Sequence, residues 1–268
     1  MSTSKRVAIV TGGNRGIGFE ICRQLAAHDV AVVLTARDPA RGEQAVAELV
    51  EGGAEAWFAP LDVCSADDIA ALVDHMRSNH GGVDIVVNNA GVSFNGFGAT
   101  IARDTTQINF FGALHVTEAV LPIVRPGGRV VMVSSGMGER SMLGESLRSR
   151  FHDDSLTRDE LAQLMQQFID DVAAKRHTEA GWPSSAYCVS KIGMTKLAEI
   201  LARDLEAGGN PGKVLINACC PGWVQTDMGG ERAERTVAEG ADTPVWLVLV
   251  GDGGPQGGFL RDRAPASW

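Results

Sequence analysis

Tyr187 and Lys191 stand four residues apart in Ser184-Ser185-Ala186-Tyr187-Cys188-Val189-Ser190-Lys191, at the head of a long stretch of helix-forming residues. One helical turn separates them, so their side chains leave the same face as neighbours. A nearby ammonium favours the ionised phenol, so Lys191 is expected to draw the Tyr187 pKa down from about 10 toward working pH. A phenol tuned that way gives or takes a proton in chemistry at a carbonyl. Tyr-x-x-x-Lys also arises on solvated helices, so the pair gains its weight from a second feature near the start of the chain.

That feature is Thr11-Gly12-Gly13-Asn14-Arg15-Gly16-Ile17-Gly18. The β-branched run Lys5–Val10 before it reads as a buried strand, and Phe19–Ala27 after it carries apolar residues at helical spacing. The glycines therefore fall at a strand-to-helix junction. Gly12 allows the tight turn, Gly16 lets backbone approach a pyrophosphate, and Gly18 lets the helix pack close to the sheet. The helix N-terminus turns N–H donors and its positive dipole end toward the phosphates. The spacing is G-x-x-x-G-x-G, an approximation to the generic G-x-G-x-x-G fingerprint; the strand–turn–helix context favours a bound dinucleotide over an empty turn.

The elements that must position these groups alternate along the chain. Strands are expected at Val30–Ala36, Glu55–Ala59, Val83–Asn88, Gly128–Ser134, Val214–Ala218 and Gly257–Leu260. Helices are expected at Pro39–Glu51, Ser65–Asn79, Thr105–Val124, Tyr187–Gly208 and Thr236–Leu249. Such alternation implies right-handed βαβ units and a parallel sheet covered on both faces. No linker or repeat interrupts it, so residues 1–268 read as a single domain, α/β, with a Rossmann-like doubly wound parallel sheet. One segment breaks the rhythm: 51 residues separate Ser135 from Tyr187, far more than such a connection needs. Thr157-Arg158-Asp159-Glu160 resembles a capping box, and Leu161, Leu164, Met165, Phe168, Ile169 and Val172 recur at helical spacing. The insertion, residues 137–182, thus carries its own amphipathic helix before the Tyr187 helix, placed over the sheet edge or the mouth of the site, with a plain surface helix as the alternative.

Bulk properties exclude several partners. The net charge of −9 disfavours nucleic acid and anionic membranes, and no apolar run reaches the roughly 18 residues of a membrane span. Met1–Arg6 lacks the apolar core of a secretory signal. The five cysteines and six histidines lack metal-ligand spacing, so no metal is expected and the thiols read as reduced, in a cytoplasmic protein. Cys188, beside Tyr187, reads as a packed helix residue with a reactive thiol as the alternative.

Further motifs share the order of the first two: Leu61-Asp62-Val63, Asn88-Asn89-Ala90-Gly91, Asn109, Ser134-Ser135 and Pro221-Gly222-Trp223-Val224. Together they resemble the short-chain dehydrogenase/reductase family over Val7 to about Gly257, nearly the whole chain. Thr35-Ala36-Arg37-Asp38, Gly181-Trp182-Pro183-Ser184-Ser185-Ala186-Tyr187 and Asn217-Ala218-Cys219-Cys220-Pro221-Gly222-Trp223-Val224 resemble its monomeric NADPH-dependent carbonyl reductases. The resemblance implies Tyr187 as general acid, Lys191 as the group that lowers its pKa and holds the nicotinamide ribose, and Ser135 as donor to the carbonyl oxygen. It implies that Asn109 bends its helix and holds a proton-relay water. Ser134 is the alternative to Ser135, since adjacent strand residues point to opposite faces; the family pattern favours Ser135. Coenzyme contacts are implied for Gly12, Asn14, Arg15, Gly16, Ile17, Gly18, Asp62, Val63, Asn89, Tyr187, Lys191, Pro221, Gly222, Val224 and Thr226.

The coenzyme can also be argued physically. An NAD site has an acidic residue at the end of the second strand to accept from the ribose 2′-hydroxyl. Here that end reads Ala36-Arg37, with Arg15 and Arg41 nearby, and three guanidinium groups converging on a 2′-phosphate favour NADP(H). Asp38 could pair with one of them. Phe94, Met137 and Trp223, with Phe97, Met142 and Met228, fall in loops at the carboxyl ends of strands and suggest an apolar pocket for a small-molecule ketone, aldehyde or quinone. The shorter stretch between Phe94 and Asn109 and the divergent tail after Gly251 leave the family's substrate specificity open. NADPH-dependent carbonyl reduction is the leading expectation; a secondary-alcohol dehydrogenase and a non-catalytic NADP(H)-sensing regulator are the alternatives. The insertion helix would cover the helices through which many relatives form tetramers, so a monomer is expected.

Overall fold

The computed structural model describes residues 5–268; Met1–Ser4, read as a polar lead into the first strand, lie outside the described residues. Every residue of β1 (Val7–Val10) and β2 (Ala31–Ala36) is buried, which is what their unbroken apolar runs require of strands covered on both faces. β3 (Ala56–Pro60), β4 (Val83–Asn88), β5 (Val124–Val133), β6 (Leu215–Cys219), β7 (Phe259–Arg261) and β8 (Ala264–Pro265) complete the sheet. Its order is β3-β2-β1-β4-β5-β6-β7-β8, parallel throughout except for the β7–β8 pair. The order reverses between β1 and β4, which opens a crevice at their carboxyl ends.

The helices are α1 (Gly16–Ala27), α2 (Pro39–Glu51), α3 (Ala66–His80), α4 (Ala99–Thr106), α5 (Gly112–Val120), α6 (Glu145–His152), α7 (Arg158–Ala173), α8 (Ala186–Ala207) and α9 (Val237–Leu249). α1, α2 and α9 bury Ile21, Leu25, Leu49, Val245 and Val248 against one face of the sheet. α3, α5 and α8 bury Leu72, Met76, Val116, Leu197 and Leu201 against the other. Local chemistry fixes where they start. Asp38 caps α2 and Pro39 follows at its first position; Ser65 caps α3; Thr157/Glu160 and Thr236/Glu239 form capping boxes on α7 and α9. Each cap contributes about 1 kcal/mol. Among the described residues no helix is long and apolar enough to cross a membrane.

Three elements differ from expectation. The helix expected over Thr105–Val124 begins at Ala99, and Gln107–Phe111 widen into a π turn around Asn109 before α5 resumes. The last strand continues through a turn at Asp262 and Arg263, with φ of 54° and 60°, into the antiparallel β8; a left-handed turn without glycine gives no sequence signal. The segment between β5 and α8 holds α6 as well as α7. Only Leu147 and Phe151 of α6 are buried, too few for a readable stripe. α7 lies neither on the sheet edge nor over the cleft: it packs outside α4 and α8. Met165 fills the space beside Gly193, where a Cβ would come within 2.7 Å of its sulfur. Phe151, Phe168 and Trp182 form a small aromatic core for this segment. The buried Asp171 carboxylate accepts from Arg176 Nε (2.6 Å) and Trp182 Nε1 (3.1 Å).

Candidate active site

The crevice where the strand order reverses is a cavity of about 500 Å³. One end is built by the β1–α1 turn. Gly16 has φ +54°, and a Cβ on Gly18 would lie 2.3 Å from the Gly12 carbonyl oxygen and 2.4 Å from Asn89 Nδ2. Side chains are excluded, and backbone approaches whatever occupies the cavity. Asn89 ties β4 to this turn by donating Nδ2 to the Thr11 and Gly12 carbonyls at 2.9 and 3.1 Å. Thr11 Oγ1 accepts the Asn89 and Ala90 N–H groups. α1 has no side-chain cap, unlike α2 and α3, so its first-turn N–H donors remain available to an anion. Gly12, Asn14, Arg15, Gly16, Ile17, Gly18, Arg37, Asp62, Val63, Asn89, Pro221 and Thr226 line this cavity together with Tyr187 and Lys191.

The three arginines do not converge. Arg15 and Arg37 line the cavity and Arg41 does not. Arg41 is exposed and its Nε lies 3.4 Å from Asp38, the residue that caps α2. Arg37, at the end of β2, makes no ion pair among the described residues. Arg15 is held by Asp227 at 2.5 Å. Two other expected coenzyme contacts stand off the wall. Val224 is buried against Gly240, and Gly222 turns the chain at φ +84° with the Arg235 guanidinium packed on it.

At the other end, Tyr187 lines the cavity; Ser135 does not line it but lies near enough to the phenol to favour its ionised form. Ser135 Oγ also accepts the Met137 N–H at 3.1 Å. Ser134 lines the cavity, but its buried hydroxyl is engaged elsewhere: it donates to the Lys191 carbonyl at 3.1 Å and lies 2.7 Å from Thr195 Oγ1. Lys191 Nζ lies 5.7 Å from the centre of the Tyr187 ring and donates to the Val133 carbonyl at 2.8 Å. Burial lowers its pKa from 10.5 to about 8. The Tyr187 pKa is raised, chiefly by burial, with the Ser135 hydroxyl opposing. The expectation that Lys191 draws the phenol down is thus reversed in this state. By the pH at which the phenol ionises, Lys191 has already lost its charge.

Asn109 stands behind the cavity wall. Its Oδ1 accepts the Val92 N–H at 2.8 Å, and its Nδ2 donates to the Val92 carbonyl at 2.9 Å and to Ser190 Oγ at 3.0 Å. Ser190 in turn donates to the Tyr187 carbonyl at 2.7 Å. Both amide protons and one Oδ1 lone pair are thus used to hold the β4–α4 loop to the head of α8. The apolar candidates are exposed: Phe94, Met137, Met142, Trp223 and Met228 are each between 42% and 60% accessible. Of these only Met228 lines the cavity, and Phe97 packs on the His177 ring at 4.8 Å. Val92, Ile108, Gln225, Asp227 and Val237 line it without having been anticipated; their residue types carry no signal, and only the fold brings them there. All five cysteines are free, with Cys188 buried. Among the described residues no group of three or more His, Cys, Asp or Glu could hold a metal ion.

Residues 6–147 match the family model described as short chain dehydrogenase. Carbonyl reductase (NADPH) 3 of Rattus norvegicus and carbonyl reductase (NADPH) 1 of Homo sapiens are each 44% identical to this chain, with all of both chains covered. The structure of salutaridine reductase from Papaver somniferum superposes with a TM-score of 0.88 at 30% identity, covering 95% of this chain and 99% of that one.

Proposed function

Since the chain belongs to the short-chain dehydrogenase family, we propose that it reduces a ketone, aldehyde or quinone to the alcohol at the expense of NADPH. Relatives named as NADPH carbonyl reductases over the full length support the coenzyme and the reaction class. The observation that carries the reading is the placement of Tyr187 and Lys191 together at one end of a cleft whose other end offers an uncapped helix N-terminus and Arg37, unpaired among the described residues.

The lining residues fit a dinucleotide. Gly12, Gly16 and Gly18 would admit the pyrophosphate to backbone N–H groups, and Arg37 would hold the 2′-phosphate, where an acidic residue would have selected NAD. When bound, NADPH supplies the hydride. Tyr187 gives its proton to the carbonyl oxygen as negative charge develops there, and Ser135 donates a hydrogen bond to the same oxygen. A phenol whose pKa is raised by burial is fully protonated at neutral pH, which favours the reducing direction over alcohol oxidation. Lys191, charged below about pH 8, stabilises the phenolate left after proton transfer. Asn109 acts through Val92 and Ser190 as a positioning residue.

The exposed Phe94, Met137 and Trp223 support an apolar substrate. The chain is read as one domain with residues 137–182 as an insertion. α7 on α4 and α8 supports a monomer, which sedimentation tests, and the free cysteines support a reducing, cytoplasmic setting. A coenzyme-oxidation screen over ketones, aldehydes, quinones and keto esters tests the reaction. Turnover with NADPH, weakened far more for NADPH than for NADH by Arg37→Ala, is expected. Tight NADPH binding with no turnover on any carbonyl would overturn catalysis.

A further inference from the structure

The cavity's phosphate end is crowned by the segment that follows β6. Gln225, Thr226, Asp227 and Met228 all line it, and Thr226 Cγ2 lies 3.2 Å from where a Cβ on Gly16 would sit. From this segment Asp227 reaches across to Arg15, with Oδ2 2.5 Å from its Nη1. Both side chains are largely exposed, at 65% for Arg15 and 79% for Asp227. No other residue of the described chain pairs with Arg15. The two cationic walls of the cavity are therefore unequal: the Arg37 guanidinium is unpaired among the described residues, and the Arg15 guanidinium is occupied by a carboxylate from the opposite loop.

We propose that Asp227 is a specificity-determining residue that competes with the 2′-phosphate of the coenzyme for Arg15, and so sets the margin by which NADPH is preferred over NADH. The proposal rests on the NADPH reading above. A 2′-phosphate is a dianion with several acceptor oxygens and fits a guanidinium fork as well as a carboxylate does. To engage Arg15 it must displace Asp227, or accept a carboxylate as its neighbour at a cost in like-charge repulsion. A coenzyme lacking the 2′-phosphate makes neither demand. The carboxylate thus penalises the phosphorylated coenzyme selectively, and Arg37 supplies the preference that remains. An exposed pair of this kind contributes up to about 1 kcal/mol, so neutralising the competitor corresponds to an affinity gain of roughly two- to fivefold.

The test is a fluorescence titration of wild type, Asp227→Asn, Arg15→Ala and the double variant with NADPH, NADH and the fragment 2′,5′-ADP. Asp227→Asn is expected to tighten NADPH and 2′,5′-ADP two- to fivefold, leave NADH unchanged, and lose this effect when Arg15 is already alanine. Two results would overturn the competition: unchanged NADPH affinity in Asp227→Asn, or equal weakening of both coenzymes, which would make Asp227 part of the coenzyme clamp. Wild type binding NADPH no more tightly than NADH would remove the coenzyme reading itself. Wild-type preference for NADPH with a silent Asp227→Asn would remove only the competition.

Discussion

Lys191→Met separates the cost of burying an amine from its use. In the folded chain Lys191 is 4% exposed, has the Val133 carbonyl at 2.8 Å as its one strong acceptor, and pairs with no carboxylate among the described residues. Burial holds its pKa at about 8, against 10.5 in water. The folded state therefore binds this proton more weakly than the unfolded chain does. Below about pH 8 both states carry it, and the folded state bears the full penalty; between pH 8 and 10.5 the penalty fades, so this group makes wild type more stable as pH rises. The gap between the two values corresponds to roughly 3 kcal/mol at neutral pH. Methionine, one heavy atom shorter, keeps the unbranched apolar stem without the charge but gives up the hydrogen bond to Val133, a loss of about 1–3 kcal/mol. The expected balance at pH 7 is a variant as stable as wild type or more stable by about 1 kcal/mol, losing ground as the pH approaches 10. Urea denaturation at several pH values measures this directly. A variant destabilised by about 2 kcal/mol or more at pH 7, by the same amount at every pH, would refute it.

Tyr187 is the only tyrosine in the chain, so phenolate absorbance titrates that residue alone. The midpoint in the free protein is expected above 10.0, and Ser135→Ala should raise it further by removing the hydroxyl that favours the phenolate; a midpoint below 10.0 contradicts the burial assigned to the ring. Asp171→Asn weakens the carboxylate's hold on Arg176 and Trp182 and should cost about 2 kcal/mol in chemical denaturation. Stability within about 0.5 kcal/mol of wild type would show that the α7 segment does not depend on this contact. Gly18→Ala places a methyl group against the Gly12 carbonyl and Asn89, and should lose about 1–3 kcal/mol of stability together with dinucleotide affinity. Unimpaired coenzyme titration would mean the turn relaxes freely.

The centre of the sheet was legible because β1, β2 and β4 are rich in β-branched residues, and Val83–Asn88 and Pro39–Glu51 were bounded correctly by such a run and by an Asp-Pro cap. The glycine turn, Tyr187 and Lys191 were legible from spacing, because one helical turn and one strand–helix junction are local geometry. What spacing could not carry is direction and competition. Lys191 turns to Val133 because a buried ammonium takes the nearest carbonyl. Arg41 goes to Asp38 because both lie on the first turn of α2. Asp227 meets Arg15 only because the loop after β6 folds back over a turn more than two hundred residues away. The placement of α7 was equally out of reach, since its apolar stripe fixes that a face is buried and not which helices receive it.

The most direct measurement of the proposed proton donor is single-turnover coenzyme oxidation by Tyr187→Phe with a carbonyl substrate found active on wild type. If Tyr187 protonates the substrate, the chemical step falls by about 10²–10⁴-fold while NADPH affinity stays at the wild-type value. A rate within about tenfold of wild type would assign the proton to another group.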